Sequence, residues 1–130
     1  NFTFSGPKEL DPDTSYFKYA GSKGSFVSID RDPINAIQNA DLIMTDTWVS
    51  MHENKAHATK GRDNQLKPYQ VNNALMKKSK KDAIFMHCLP AHRGQEVTAD
   101  VIDGVKSVVF DQAENRLHVQ KAILRWCLNV

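Results

Sequence analysis

The fold is decided by residues 83–94, which read AIFMHCLPAHRG. The apolar run from Ala83 to Met86 predicts a short buried strand, bounded by charge on one side and by proline on the other. Reactive and polar side chains follow at once: His87, Cys88, His92 and Arg93. Open α/β sheets bind ligands at the carboxyl ends of their strands. The segment therefore predicts a buried strand with a binding or catalytic site at its end.

Four more strands are expected, and helical segments alternate with them. The expected strands cover residues 2–5, 25–29, 42–45 and 107–110. Aspartate caps a helix and proline suits its first turn, so Asp11-Pro12 and Asp32-Pro33 predict two helix starts. Strands that alternate with helices predict an α/β fold: a doubly wound, mainly parallel, Rossmann-like sheet with helices on both faces.

The second half of the chain is expected to contain a long loop and three helices. Residues 50–67 show no periodicity, and loops of this length are commonly lids or binding loops. Of the helices, one is expected to start at Pro68, a second to run from a Thr98 cap to Ile102, and the last to begin near Ala113 and continue to the end.

Composition limits the class of protein. The chain has 130 residues, 41% hydrophobic and 25% charged, which suits one domain with a single core. Its net charge of +2 does not indicate a nucleic-acid-binding surface, and no apolar run is long enough to span a membrane. Cys88 and Cys127 lie far apart, which favours free thiols and a cytoplasmic protein over a disulfide framework.

Three segments carry residues suited to chemistry. Asp46 and Ser50 follow a buried strand, where a carboxylate can accept from an ammonium group, although both side chains could instead cap the loop. Cys88 can orient an amine or exchange a proton with it, but a buried inert cysteine is the commoner case. Arg116, near the start of the last helix, can donate to a carbonyl or phosphate oxygen. A surface arginine paired with Glu114 is the alternative.

A zinc site is a weaker interpretation of the same residues. His87, Cys88 and His92 are close in sequence, but no second Cys/His pair stands at the spacing of a structural zinc site. Cys127 lies on an expected helix with a packing pattern. The sequence therefore favours a site without metal.

Together these segments resemble ornithine carbamoyltransferase, specifically its second, amino-acid-binding domain. The resemblance rests on four stretches in the family's order: residues 45–51 (TDTWVSM), 67–72 (KPYQVN), 86–94 (MHCLPAHRG) and 113–116 (AENR). It covers the chain strongly from about Asp41 to the end and weakly before that. The first and third stretches separate this family from the related aspartate enzymes.

The resemblance implies transfer of a carbamoyl group from carbamoyl phosphate to L-ornithine, giving citrulline and phosphate, with no metal or organic cofactor. Asp46, Ser50 and Met51 would hold the ornithine α-amino and α-carboxylate groups. Cys88, close to Asp46, would face the reacting amine and help it lose its proton. The backbone carbonyls of Cys88 and Leu89 would hold the amine and the carbamoyl amide. Arg116 would contact carbamoyl phosphate and polarise its carbonyl.

The resemblance also implies that parts of the parent enzyme are absent from this sequence. Neither the family's carbamoyl-phosphate domain nor the first, central strand of the second domain is recognisable. Residues 1–112 are therefore expected to form an incomplete ornithine-binding domain, and residues 113–130 a helix that packs on the absent domain. The parent is expected to be a homotrimer. The alternatives are a non-catalytic amino-acid-binding module and a sibling enzyme for putrescine or acetylornithine.

Overall fold

The computed structural model describes residues 1–49 and 64–129. Its strands are β1 (Phe2–Phe4), β2 (Val27–Ile29), β3 (Leu42–Thr45) and β4 (Ile84–His87). Its α-helices are α1 (Thr14–Ser22), α2 (Pro33–Ala36), α3 (Asn73–Met76), α4 (Ala99–Ile102) and α5 (Val109–Leu128), and two 3₁₀ turns cover Lys8–Leu10 and Lys67–Tyr69. Strands and helices alternate, so the predicted α/β class is confirmed.

The strands form two separate parallel pairs. β1 pairs with β2, and β3 pairs with β4. The two pairs do not bond to each other, and a cavity of about 420 Å³ lies between β1 and β3, lined by residues of both strands. In a doubly wound sheet the first strand lies between the second and the fourth. The two pairs therefore stand on either side of the position that such a sheet gives to its first strand.

The core lies around β4. Phe85 is fully buried at the centre of this strand, and Ile43 of β3 packs into the same cluster. The helices and connecting segments complete the cluster with Ile37, Val71, Met76, Val97, Val101, Ile102 and Val109. By contrast, α1 has no buried residue. The well-packed part of the described chain is therefore the part that carries the ends of β3 and β4.

The predicted fifth strand is wrong. Residues 107–110 contribute a single parallel bridge between Phe85 and Ser107, with the Val108 amide donating to the Phe85 carbonyl at 3.0 Å. Helix α5 then starts at Val109, four residues before the expected start near Ala113. The run is apolar because Val109 is buried at the start of the helix. Over so few residues, periodicity cannot distinguish a buried helix start from a buried strand.

Two expected helix starts are also wrong. Asp13, not Asp11, caps α1 by accepting from the Ser15 amide at 2.7 Å, while Asp11 forms an ion pair with Arg31. The helix expected from Pro68 is replaced by a 3₁₀ turn followed by α3, because Val71 forms a bridge with Val97 instead of continuing the helix. In both places a contact with a residue distant in sequence determines the structure, against the preference of the local sequence for a helix start.

The remaining helix signals are confirmed. Asp32 accepts from the Ile34 amide at 2.8 Å, with Pro33 at the first helical position of α2. Helix α4 runs from the Thr98 cap position to Ile102, although the Thr98 side chain makes no capping bond. Among the described residues, no helix is long and apolar enough to cross a membrane.

Substitution of Phe85 by alanine is expected to destabilise the chain by about 3–5 kcal/mol, because it leaves a cavity in the cluster around β4. Urea unfolding measures the loss. Phe26→Ala is the matched control, since the Phe26 side chain is 63% exposed and its loss is expected to change stability by about 0.5 kcal/mol or less. Equal losses for the two variants would contradict this placement of the core.

Candidate functional site

The register of β3 and β4 brings the two central site residues together. Thr45 pairs with His87, so the next residues of the two strands, Asp46 and Cys88, leave the sheet side by side. The Cys88 thiol donates to Asp46 Oδ1 at 3.0 Å. The predicted convergence of this carboxylate and this thiol is therefore confirmed.

The segments that follow β3 and β4 are tied together by further contacts. Thr47 Oγ1 lies 3.2 Å from His92 Nδ1, and the Thr47 amide donates to Asp46 Oδ1 at 2.7 Å. On the other side, the Gln70 side-chain amide donates to the carbonyls of Gly94 and Gln95. The contacts to His92, Gly94 and Gln95 hold the segment after β4, while the Thr47 amide orients the Asp46 carboxylate. None of these contacts was predicted from the sequence.

The electrostatics around Cys88 keep its thiol protonated. Burial raises the pKa of the Cys88 thiol, and the hydrogen bond to Asp46 and the charge of that carboxylate raise it further. The positive charge of Arg116 acts in the opposite direction on the same pKa. A protonated thiol is a poor nucleophile, so Cys88 is suited to orient a substrate group and not to form a covalent intermediate with it.

Arg116 lies on the exposed surface of α5, within electrostatic range of Cys88. Leu89 is half-buried and has a φ of 56°, in the left-handed region that side chains other than glycine rarely adopt. Such backbone strain concentrates at functional sites. Ser50 and Met51, and most of the expected loop over residues 50–67, lie outside the described residues.

The zinc interpretation finds no support in the described ranges. No group of three or more His, Cys, Asp or Glu side chains there is placed to hold a metal ion. His87 Nδ1 accepts from the Leu89 amide, and His92 Nδ1 contacts Thr47. Cys88 and Cys127 are both free thiols.

The fold and this pair of strand ends define an α/β domain with a polar site at the carboxyl edge of a parallel sheet. A family model described as "Aspartate/ornithine carbamoyltransferase, Asp/Orn binding domain" matches residues 1–127. The chain belongs to this family.

The known relatives agree with this family and are longer than the chain. Over all 130 residues the chain is 60% identical to the ornithine carbamoyltransferase of Cereibacter sphaeroides and 57% identical to that of Roseobacter denitrificans. It covers 42% of the length of each. The solved ornithine carbamoyltransferase of Pyrococcus furiosus superposes with a TM-score of 0.85 at 46% identity, covering 95% of this chain and 40% of that one.

The Cys88–Asp46 contact yields a pH-dependent prediction. Asp46→Asn keeps an oxygen for the Thr47 amide but removes the negative charge, so the pKa of the Cys88 thiol is expected to fall. In a Cys127→Ser background, which removes the exposed second thiol, the pH midpoint of iodoacetamide alkylation should move to lower pH. Asp82→Asn, at the opposite end of β4, is the control. A midpoint for Asp46→Asn that equals the control or rises would contradict the contact.

Proposed function

We propose that the chain supplies the ornithine-binding half of an active site that transfers a carbamoyl group from carbamoyl phosphate to L-ornithine, giving citrulline and phosphate. The observation that carries this proposal is the 3.0 Å contact between Cys88 and Asp46 at adjacent strand ends. Family membership and the names of the relatives support the reaction.

The proposed roles follow from the chemistry of the side chains. The side-chain amine of ornithine must be neutral to attack. A thiol that donates to a carboxylate can orient this amine and relay the proton that the amine loses to the carboxylate. Asp46, Ser50 and Met51 would hold the α-amino and α-carboxylate groups of ornithine. The carbonyls of Cys88 and Leu89 would hold the reacting amine and the carbamoyl amide. Arg116 would polarise the carbamoyl carbonyl, a kind of contact whose removal costs roughly 3 kcal/mol of transition-state stabilisation.

The domain division belongs to the same proposal. Residues 1–112 form the ornithine-binding unit, and residues 113–130 pack on a carbamoyl-phosphate domain. The exposure of α5 supports this: it has Val109 as its single buried residue. Large apolar side chains remain exposed along it, at Phe110, Leu117, Val119, Ile123, Leu124, Trp126 and Leu128. Exposed apolar faces of this extent mark interaction sites.

The cellular setting completes the proposal. The parent enzyme would be a cytoplasmic homotrimer acting in arginine biosynthesis or a urea-cycle type step. Two free thiols suit a reducing compartment.

A chimera tests the catalytic role directly. The matched region of the Cereibacter sphaeroides enzyme is replaced by residues 1–130, and citrulline formation is measured. The chimera should be active, and Cys88→Ser in it should lower kcat by about 10²-fold or more, because a positioned proton-transfer group is lost. Cys127→Ser is the matched control and should keep full activity. An inactive chimera that folds, or equal effects of the two substitutions, would count against the proposal.

The chain alone is expected to form no citrulline, because nothing in it is assigned to the phosphate of carbamoyl phosphate. Calorimetry with L-ornithine separates the half-site from a stand-alone binding module: a half-site should give little heat, whereas a complete binding module should give a saturable isotherm. Turnover by the isolated chain would refute the half-site.

A further inference from the structure

Two buried polar side chains lie behind the segment that carries Cys88. His87 is 1% exposed and Glu96 is fully buried. His87 Nε2 lies 3.4 Å from Glu96 Oε1. Neither His87 Nε2 nor Glu96 Oε2 has a hydrogen-bond partner among the described residues.

Each of the two side chains holds one backbone amide of the segment after β4. The Leu89 amide donates to His87 Nδ1 at 2.9 Å, and the His92 amide donates to Glu96 Oε1 at 2.5 Å. The His87 amide in turn donates to the Gln112 side chain on α5 at 3.0 Å. The segment that carries Cys88 is therefore anchored from the buried side at both of its ends.

The anchoring fixes the direction of a carbonyl. The Leu89 N–H and the Cys88 C=O belong to one peptide group, and in a trans peptide these two bonds point in opposite directions. Because the N–H points at the buried His87 ring, the Cys88 carbonyl points away from it. Leu89, whose amide makes this hydrogen bond, is also the residue with a positive φ of 56°.

The hydrogen bond from the Leu89 amide also fixes the tautomer of His87. Since Nδ1 accepts from an amide, the proton of the neutral ring is on Nε2, which faces the Glu96 carboxyl group. Burying these polar groups is costly, and an apolar pair of similar volume avoids that cost. Stability alone therefore does not account for the pair.

We propose that His87 and Glu96 are positioning residues: through the Leu89 and His92 amides they hold the Cys88 carbonyl and thiol in place beside Asp46. The part that this positioning plays in the reaction rests on the proposed function. The positioning itself can be tested without any substrate.

Matched substitutions test it in the full chain with the Cys127→Ser change. His87→Phe keeps the ring volume but removes the acceptor, whereas His87→Asn keeps an acceptor for the amide two residues on, as in an Asx turn. For Glu96 the corresponding pair is Glu96→Met and Glu96→Gln. Urea unfolding of each variant shows which of them fold.

The readout is the pH profile of iodoacetamide alkylation at Cys88, whose thiol is faced by Asp46 and Arg116. In His87→Phe and Glu96→Met, which lack the acceptor for the backbone amide, the Cys88 thiol should move away from Asp46 and become more exposed. Alkylation at neutral pH should then be several-fold faster, and the midpoint of the profile should move to lower pH. The variants that keep an acceptor should match the parent. Parent-like profiles for folded His87→Phe and Glu96→Met, or no rescue by His87→Asn and Glu96→Gln, would overturn the proposal.

A second measurement decides the matter if the apolar variants do not fold. Nitrogen NMR of the His87 ring in the unsubstituted chain should show a proton on Nε2 and none on Nδ1. A proton on Nδ1 would overturn the proposal, because that atom could not then accept from Leu89. Both readouts are independent of ornithine, so failure of the chimera with normal alkylation profiles would refute the proposed function and not the positioning.

Discussion

The parallel pairing of β3 with β4 is the constraint on which the site depends. The ladder runs from Leu42–Ile84 to Thr45–His87, so both strands end at the same level. A slip of one residue would reverse the faces of one strand, exposing Phe85 and separating Asp46 from Cys88. Since Phe85 is fully buried, the hydrophobic core fixes the register, and the register places the carboxylate against the thiol.

The fold was predictable from the sequence where a local signal and the tertiary contacts agree. The apolar run of β3 and the Asp32-Pro33 helix start are cases of this kind, because burial and capping are encoded in the same few residues. Prediction failed where distant contacts decide. Asp11 is drawn into an ion pair with Arg31, and Val71 into a bridge with Val97, neither of which a local pattern contains.

The site was only partly predictable for a related reason. Asp46 and Cys88 directly follow apolar strands, and parallel strand ends converge, so their proximity could be inferred. Glu96 gave no such signal. It lies between Gln95 and Val97, and a glutamate in such a short segment would be expected on the surface, yet it is fully buried. Its position is set by the hydrogen bond to the His92 amide, a contact that periodicity does not reveal.

The cavity between the two strand pairs and the candidate site have residues in common at the end of β3. The cavity between β1 and β3 is lined by β3 and also by Asp46, Thr47 and Trp48, the residues that lead from the strand into the site. Asp46 is held from the β4 side through Cys88, while the opposite edge of β3 pairs with no strand among residues 1–49 and 64–129. The end of β3 therefore contributes both to this cavity and to the Cys88–Asp46 contact, so a change in the packing of either reaches the same few residues.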